Sequence, residues 1–348
     1  MGRTARTNKI GLTREDYKGG KSTLCPGCGH DSIANQITSM GYELGIEQHR
    51  VIKVSGIGCS SKTPAYFLGR SHGFNALHGR MPSVATGALM GNRTLYCIAV
   101  SGDGDTGSIG MGQFKHAIRR NAPFVYVIEN NGVYGLTKGQ FSATADEGQY
   151  LKYYGKNELP AIDLALEAII SGATFVARSF SGDSKQVQAL LQAAMRHKGT
   201  AVLDIISPCV TFNNDDTSTK SYNYGKENQI PLHEIEILAG DYIAPRDEIT
   251  VEEYPEGEVI DVTMHDGSLL RLKKLGQEHD PRNKAQAIAA LERSQRENLF
   301  ITGLIYYEEP RLTLAEIENI VDEPLATLSA EKLRPSREAL DKLMKQFS

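Results

Sequence analysis

The sequence predicts an α/β fold: a parallel sheet flanked by helices, with a C-terminal extension of mixed hairpin and helix. Three observations carry that expectation. From Cys25 to about Ser207, short apolar runs alternate with amphipathic stretches, the signature of strands joined by crossover helices. Glycine-rich turns follow three of the runs, at 56–58, 102–107 and 130–135. The composition is that of an ordinary globular chain: 348 residues, 40% hydrophobic, 23% charged, formal net charge −4, with 34 glycines as the visible excess. That composition excludes a disordered protein, and its near-neutral balance argues against a dedicated nucleic-acid binder.

Taken in order, residues 1–24 form a polar leader with a tendency to fray. No apolar core follows its basic residues, so it is not a secretory signal. Strands are expected over 51–55, 94–101, 124–129, 174–177 and 201–206. Between them, 31–44 reads as a helix that Asp31 can cap, with Ile33, Ile37, Met40 and Leu44 on one face. Helices are also expected over 110–120 and 184–197. The first domain is placed over 25–232. Beyond it, 233–348 holds an Asp266-Gly267 step between alternating segments, a hairpin signal over 259–272. Helices are expected there over 284–298, 313–320 and 336–346. This part carries no motif with assignable chemistry and reads as a docking or covering extension. No run approaches the roughly 18 apolar residues of a membrane span. Five cysteines are too few for a disulfide scaffold, so a reducing cytoplasmic compartment is expected.

Ligands of open parallel sheets bind at the carboxyl ends of strands, so the three glycine turns are expected to share one crevice. Gly102-Asp103-Gly104-Asp105-Thr106-Gly107 matches the dinucleotide pattern G-x-G-x-x-G, and Glu129 ends the next strand 22 residues after Gly107. A nicotinamide-binding dehydrogenase domain is therefore a rival reading. Electrostatics argues against it, because the Asp103 carboxylate would face the pyrophosphate it should cradle. A divalent cation between them removes the repulsion, and Mg²⁺ takes a carboxylate together with phosphate oxygens. Asn130-Asn131 offers a second oxygen donor 26 positions after Gly104.

The cysteines divide into two kinds. Cys97 lies inside an apolar strand and reads as core. Cys25 and Cys28 form a C-x-x-C pair, while Cys59 and Cys209 sit in loops after predicted strands. Spacing leaves open a redox dithiol, a zinc site or an iron–sulfur cluster, for which four thiolates are needed. His30 fails the haem-attachment test because Gly29 intervenes. His78-Gly79-Arg80 precedes a helix beginning near Pro82, a natural anion site. Lys62 and Lys138 could each meet a substrate carboxylate, with Lys62 preferred. Lys115, His116, Arg119 and Arg120 read as solvated or partner-facing.

The GDG followed some 25 residues later by NN, each ending an apolar strand, resembles the thiamine-diphosphate motif. The longer string SGDGDTGSIGMGQFKHAIRRNAPFVYVIENNGVYGLTKGQFSAT, with GIGCSSK and HGRMPSVATG, is similar to β-subunits of 2-oxoacid:ferredoxin oxidoreductases, from about Leu24 to Asn214. Ala143 departs from the proline that many members carry there. The resemblance implies a thiamine-diphosphate-binding fold of the diphosphate type. It implies Mg²⁺ held by Asp103, Asn131 and the Val133 carbonyl, and a [4Fe–4S] cluster on Cys25, Cys28, Cys59 and Cys209. Cofactor contacts would come from Gly58, Ser60, His78, Gly79, Arg80, Gly102, Gly104, Asp105, Tyr134, Gly135, Leu136 and Thr137, with Lys62 and His78 in catalytic roles. The implied reaction is reversible oxidative decarboxylation of a 2-oxoacid with coenzyme A and ferredoxin. CPGCGH and YGLTKGQ look most like the 2-oxoglutarate subgroup; pyruvate or a broad range is the alternative. A non-redox thiamine-diphosphate lyase or synthase is a more distant one, with no use for four loop cysteines. One such module is present, so an α-subunit is expected to supply the pyrimidine module and its Glu, in an (αβ)₂ heterotetramer. The segment around Phe300, Ile301, Leu304 and Ile305 would help cover that junction.

Overall fold

The computed structural model describes residues 6–216, 218–238, 259–263, 269–274, 279–309 and 311–347. In chain order, α1 (Gly29–Leu44) leads to β1 (Val51–Ser55), β2 (His72–Asn75), α2 (Met81–Gly91), β3 (Tyr96–Gly102), α3 (Met111–Arg119) and β4 (Val125–Asn130). Two small antiparallel hairpins follow, β5 (Val133–Tyr134) with β6 (Gln140–Phe141) and β7 (Tyr150–Leu151) with β8 (Gly155–Lys156). Then come α4 (Leu164–Ile170), β9 (Phe175–Phe180), α5 (Ser184–Arg196) and β10 (Ala201–Ile206). The remainder comprises α6 (Tyr222–Asn228), β11 (Gln229–Pro231), β12 (His233–Leu238), β13 (Val259–Thr263), β14 (Leu269–Lys274), α7 (Lys284–Arg296) and β15 (Phe300–Tyr307), then short helices α8 (Leu314–Ile317), α9 (Ala330–Leu333) and α10 (Arg337–Met344).

Among the described residues, eight strands form one sheet in the order β11-β15-β9-β10-β4-β3-β1-β2. From β9 to β2 every pairing is parallel. Strands buried on both faces must read as nearly continuous apolar runs, and β4, β9 and β10 are buried along their whole length. One face packs Ile33, Ile37 and Met40 of α1 with Leu190 and Leu191 of α5. The other packs Met81 and Leu89 of α2, Phe114 of α3, Leu164 of α4 and Leu291 of α7. Each such side chain contributes about 1.5–3 kcal/mol on burial, so sandwiching the sheet between two helical layers dominates its stability.

Several expectations need correction. Helix α1 begins two residues before Asp31, with Cys28 at its N-cap and no side-chain cap, leaving Asp31 in the first turn. The early start is enforced at Gly29, whose N–H donates to the Pro208 carbonyl at 3.3 Å. A Cβ at Gly29 would lie 2.6 Å from Ser207 Oγ, so only glycine lets the chains approach. The leader is docked from Arg6 onward: Tyr17 is fully buried, Asn8 Nδ2 donates to its hydroxyl at 2.9 Å, and Lys18 bridges Phe67. The helix expected over 313–320 is a single turn closed by a capping box between Thr313 and Glu316, with Asn319 in the left-handed region at φ 52°. α4 was not anticipated; Asp163 caps it by accepting from the Ala165 and Leu166 N–H groups at 3.0 Å each.

The largest correction concerns the C-terminal extension. Phe300–Tyr307, expected as a covering segment, is a strand of the central sheet, antiparallel to β9 and buried at every position within this chain. Its continuous apolar run satisfies the sheet's last large edge, with α7 packed across it. β12, β14 and β13 form a separate three-stranded antiparallel sheet. The expected hairpin thus exists as paired strands, while its Asp266-Gly267 step lies outside the described residues.

Candidate functional site

The sheet order brings β10, β4, β3 and β1 side by side, so the loops leaving their carboxyl ends converge. One crevice is lined by Gly58, Cys59 and Ser60 after β1, by Gly102, Asp103, Gly104 and Asp105 after β3, and by Asn131, Val133, Tyr134, Gly135, Leu136 and Thr137 after β4. His78 and three residues not assigned a site role in the sequence, His30, Ile57 and Glu129, complete the lining. The expectation of a shared crevice holds.

Asp103 is almost fully buried. Its carboxylate accepts from the Asn131 N–H at 3.2 Å, from the Thr144 hydroxyl at 2.7 Å and from Ser142. Burial raises its pKa, and these donors oppose the rise. A buried anion of this kind is poised for a cation, which would reverse the penalty. Alternation along β4 sends the two asparagines to opposite sides. Asn130 Nδ2 donates to Asp204 Oδ1 at 2.9 Å, and its Oδ1 accepts from Thr144 at 2.8 Å. Asn131 faces the crevice, its Oδ1 accepting from the Val133 N–H at 3.1 Å. Asp103, Asn131 and Val133, the residues expected from the sequence to hold Mg²⁺, thus line one crevice. On Asn130's side lies a second cavity, lined in part by Asp163, Arg178 and Asp204, where Arg178 is paired with both carboxylates at 2.6 and 3.0 Å.

Asp105 is an organising point rather than a lining group alone. It accepts from His78 Nδ1 at 2.5 Å, the Gly79 N–H at 2.9 Å and Ser101 Oγ at 2.9 Å. This arrangement presents His78 to the crevice with Nδ1 committed. It also dictates Gly56, where a Cβ would lie 1.8 Å from Asp105 Oδ2. Gly79 therefore acts from behind the lining through its N–H. Arg80 is exposed and donates to Gln113 Oε1 at 3.0 Å, outside the crevice. Lys62 is half-buried and does not line the crevice; its charge acts on Cys59, opposing the rise in that thiol's pKa. Lys138 is exposed, with φ 78°.

The cysteines separate as expected. Cys97 is buried within β3. Cys25 is exposed, while Cys28, Cys59 and Cys209 are half-buried. A Cβ on Gly135 would lie 3.5 Å from Cys59 Sγ and 3.6 Å from Cys209 Sγ, so the crevice loop runs beside both sulfurs. Cys28 lies within electrostatic range of Cys209 and Cys59, and Cys59 and Cys209 each within range of Cys25. Burial pushes the Cys28 thiol up to about 12 and raises Cys59 and Cys209. A coordinated metal would hold these thiols as thiolates. Among the described residues no three His, Cys, Asp or Glu side chains stand close enough to share a single ion. Four thiols from three chain segments, 25–28, 59 and 209, fit a group larger than one ion.

His30 and Glu129 are functional candidates that the sequence left unassigned. Glu129 is fully buried, with His30 Nδ1 3.5 Å from its Oε2, and burial raises its pKa well above the usual range. Burial also pushes His30 down to about 4. A Glu129 so enclosed is not placed to bind a nucleotide ribose. The available signal was the spacing: His30 falls one position past Gly29, on the first turn of a helix that starts at a cysteine.

Residues 56–205, which include the strands and loops that form this crevice, match the thiamine pyrophosphate enzyme, C-terminal TPP binding domain family, so the class is that of a thiamine diphosphate enzyme module. The chain is 43% identical over 199 residues to a 2-oxoacid:ferredoxin oxidoreductase subunit beta from Sulfolobus sp, covering 57% of this chain and 65% of that one. It is 40% identical over 191 residues to the 2-oxoglutarate oxidoreductase subunit KorB of Mycobacterium tuberculosis, covering 54% and 50%. It is 34% identical over 213 residues to the 2-oxoglutarate synthase subunit KorB of Methanothermobacter thermautotrophicus, covering 60% and 73%. The fold matches a solved 2-oxoglutarate:ferredoxin oxidoreductase from Magnetococcus marinus with 2-oxoglutarate, coenzyme A and succinyl-CoA bound, at TM-score 0.74 and 27% identity over 99% of this chain and all of that one. The chain belongs to the β-subunit family of 2-oxoacid:ferredoxin oxidoreductases. The matched stretch spans less than two thirds of the Sulfolobus and Mycobacterium relatives. Among the described residues, no helix is long and apolar enough to cross a membrane.

Proposed function

We propose that this chain is the cofactor-bearing half of an enzyme that oxidatively decarboxylates a 2-oxoacid, preferably 2-oxoglutarate, with coenzyme A and reduces ferredoxin. The observation that supports this reading is one crevice that joins Asp103, Asn131 and Val133 to Cys59 and Gly135, with Cys209 against that same glycine. Thiamine diphosphate, when bound, supplies the electron sink that decarboxylation requires, and a [4Fe–4S] cluster supplies a one-electron exit.

The chain's own part is placement. Asp103, Asn131 and the Val133 carbonyl would hold Mg²⁺ against the diphosphate. Asp105 holds His78 and Gly79 at the crevice wall. Gly58, Ser60, Gly102, Gly104 and Tyr134–Thr137 enclose the cofactor and keep water out, with Tyr134 fixed by its hydroxyl donating to the Gly104 carbonyl at 2.8 Å. Cys25, Cys28, Cys59 and Cys209 would carry the cluster beside it. Lys62, beside Cys59 and outside the crevice lining, would supply a cation for the substrate carboxylate, since burying an unpaired charge is costly.

Because the described residues hold one module, the pyrimidine-binding module and its Glu come from an α-subunit in an (αβ)₂ assembly. Two relatives whose names carry 2-oxoglutarate and a neighbour solved with that acid support the substrate preference. The test is reconstitution. The complex with an α-subunit, thiamine diphosphate and Mg²⁺ should reduce ferredoxin when given 2-oxoglutarate and coenzyme A, while the isolated chain should not. Full turnover by the isolated chain, or none by the complex with any 2-oxoacid, overturns the reading.

A further inference from the structure

The sequence singled out CPGCGH, and the proposed reaction uses its cysteines but not its histidine. His30 is 1% exposed and lies between the two cofactor sites. Its Nδ1 meets Ser207 Oγ at 2.6 Å, two residues before Cys209. Its Nε2 meets Asn131 Nδ2 at 3.3 Å. An amide nitrogen can only donate, so Nε2 accepts, and Nδ1 carries the ring hydrogen and donates to Ser207. Glu129 Oε2, 3.5 Å from Nδ1, lies on the same side of the ring.

That pattern has a chemical consequence for Asn131. A carboxamide presents an oxygen at one end and an NH₂ at the other, and only the oxygen can ligate a hard cation. The Val133 N–H holds the oxygen end at 3.1 Å, and the His30 lone pair holds the nitrogen end. We propose that His30 is a positioning residue that locks the Asn131 carboxamide with its oxygen toward the metal position, and that it ties this ligand to the two chain segments carrying Cys28 and Cys209. The tie is covalent on one side, through Gly29, and hydrogen-bonded on the other, through Ser207. Gly29 N–H to Pro208 carbonyl closes the same loop.

The inference rests on the proposed metal role of Asn131, so the experiment reads metal and iron separately in the reconstituted complex. Outer-shell partners of this kind typically change metal affinity about 10–100-fold. His30→Leu should raise the Mg²⁺ concentration for half-maximal thiamine diphosphate binding at least about tenfold, with iron content unchanged. His30→Gln, whose side-chain oxygen can still accept from Asn131, should recover most of the loss. Ser207→Ala, which removes only the far contact, should give an intermediate shift, and it decides the matter if His30→Leu fails to accumulate. Wild-type Mg²⁺ dependence in an iron-loaded His30→Leu, or in Ser207→Ala where His30→Leu cannot be made, overturns the inference. Failure of the wild-type complex to bind thiamine diphosphate with Mg²⁺ overturns the reading beneath it instead.

Discussion

The two halves of the crevice are built on different plans. On the oxygen side, Asp103 accepts from three protein donors and Asp105 from three more, so both carboxylates are fixed by the protein itself. On the sulfur side the support is uneven: Cys25 is exposed and receives one weak donor, Thr211 Oγ1 at 3.4 Å, while backbone N–H groups of Thr211, Phe212 and Asn213 oppose the rise in the Cys209 thiol's pKa. Among the described residues no three His, Cys, Asp or Glu side chains meet at an ion-sized point. The contrast matches the chemistry of the two proposed occupants. Mg²⁺ demands near-ideal octahedral oxygens and dehydrates reluctantly, which favours a preformed cradle. An iron–sulfur cluster brings its own bridged framework, so the protein need only offer four thiolates around it.

If the halves are independent, they should fail independently. The largest effect is expected on the sulfur side. Anaerobically purified protein should hold about four irons per chain; Cys59→Ser or Cys209→Ser should lower that content and abolish ferredoxin reduction, while Cys97→Ala keeps both. Iron loss in Cys97→Ala with retention in Cys209→Ser would reverse the assignment. Next in size is the oxygen side: Asp103→Ala should weaken Mg²⁺-dependent thiamine diphosphate binding by about tenfold or more with iron intact. Titration calorimetry with matched iron assays checks both at once, and unchanged cofactor affinity would break the oxygen-site assignment. Lys62 neighbours a thiol yet is assigned to substrate, so it sharpens the comparison. Losing one charge-assisted contact worth about 1.5–3 kcal/mol, Lys62→Ala should raise KM for 2-oxoglutarate about tenfold or more. Iron content should stay unchanged; wild-type kinetics would place the substrate's cation elsewhere.

The sequence was most informative where one residue's chemistry had one outlet. Buried parallel strands read directly from apolar runs, with β1 and β10 at the expected bounds. The GDG and NN elements fall at the ends of β3 and β4, as the apolar runs before them led one to expect. Positions settled by tertiary contact were not legible. Lys53 sits buried in mid-strand because its Nζ donates to the Phe67 and Leu68 carbonyls at 2.8 and 3.0 Å, partners invisible to periodicity. Arg80 follows His78 and Gly79 in sequence, but turns away at the start of α2. His30 looked like a failed haem motif because its partners, Ser207 and Asn131, lie 177 and 101 positions away. The segment 300–307 was read as cover because an isolated apolar run does not reveal which sheet it will join.

That last strand also sets an order in time. Every element of the crevice is encoded before residue 210, but β9 keeps an open backbone edge until β15, more than a hundred residues downstream, pairs with it. A nascent chain emerging from the ribosome would therefore carry all four candidate cluster cysteines while its central sheet still exposed an apolar edge, the kind of surface that recruits other chains. Closure depends on contacts of long sequence separation, which form slowly. Truncation upstream of Phe300 would therefore leave a chain that carries every crevice residue but has β9 as an unprotected edge.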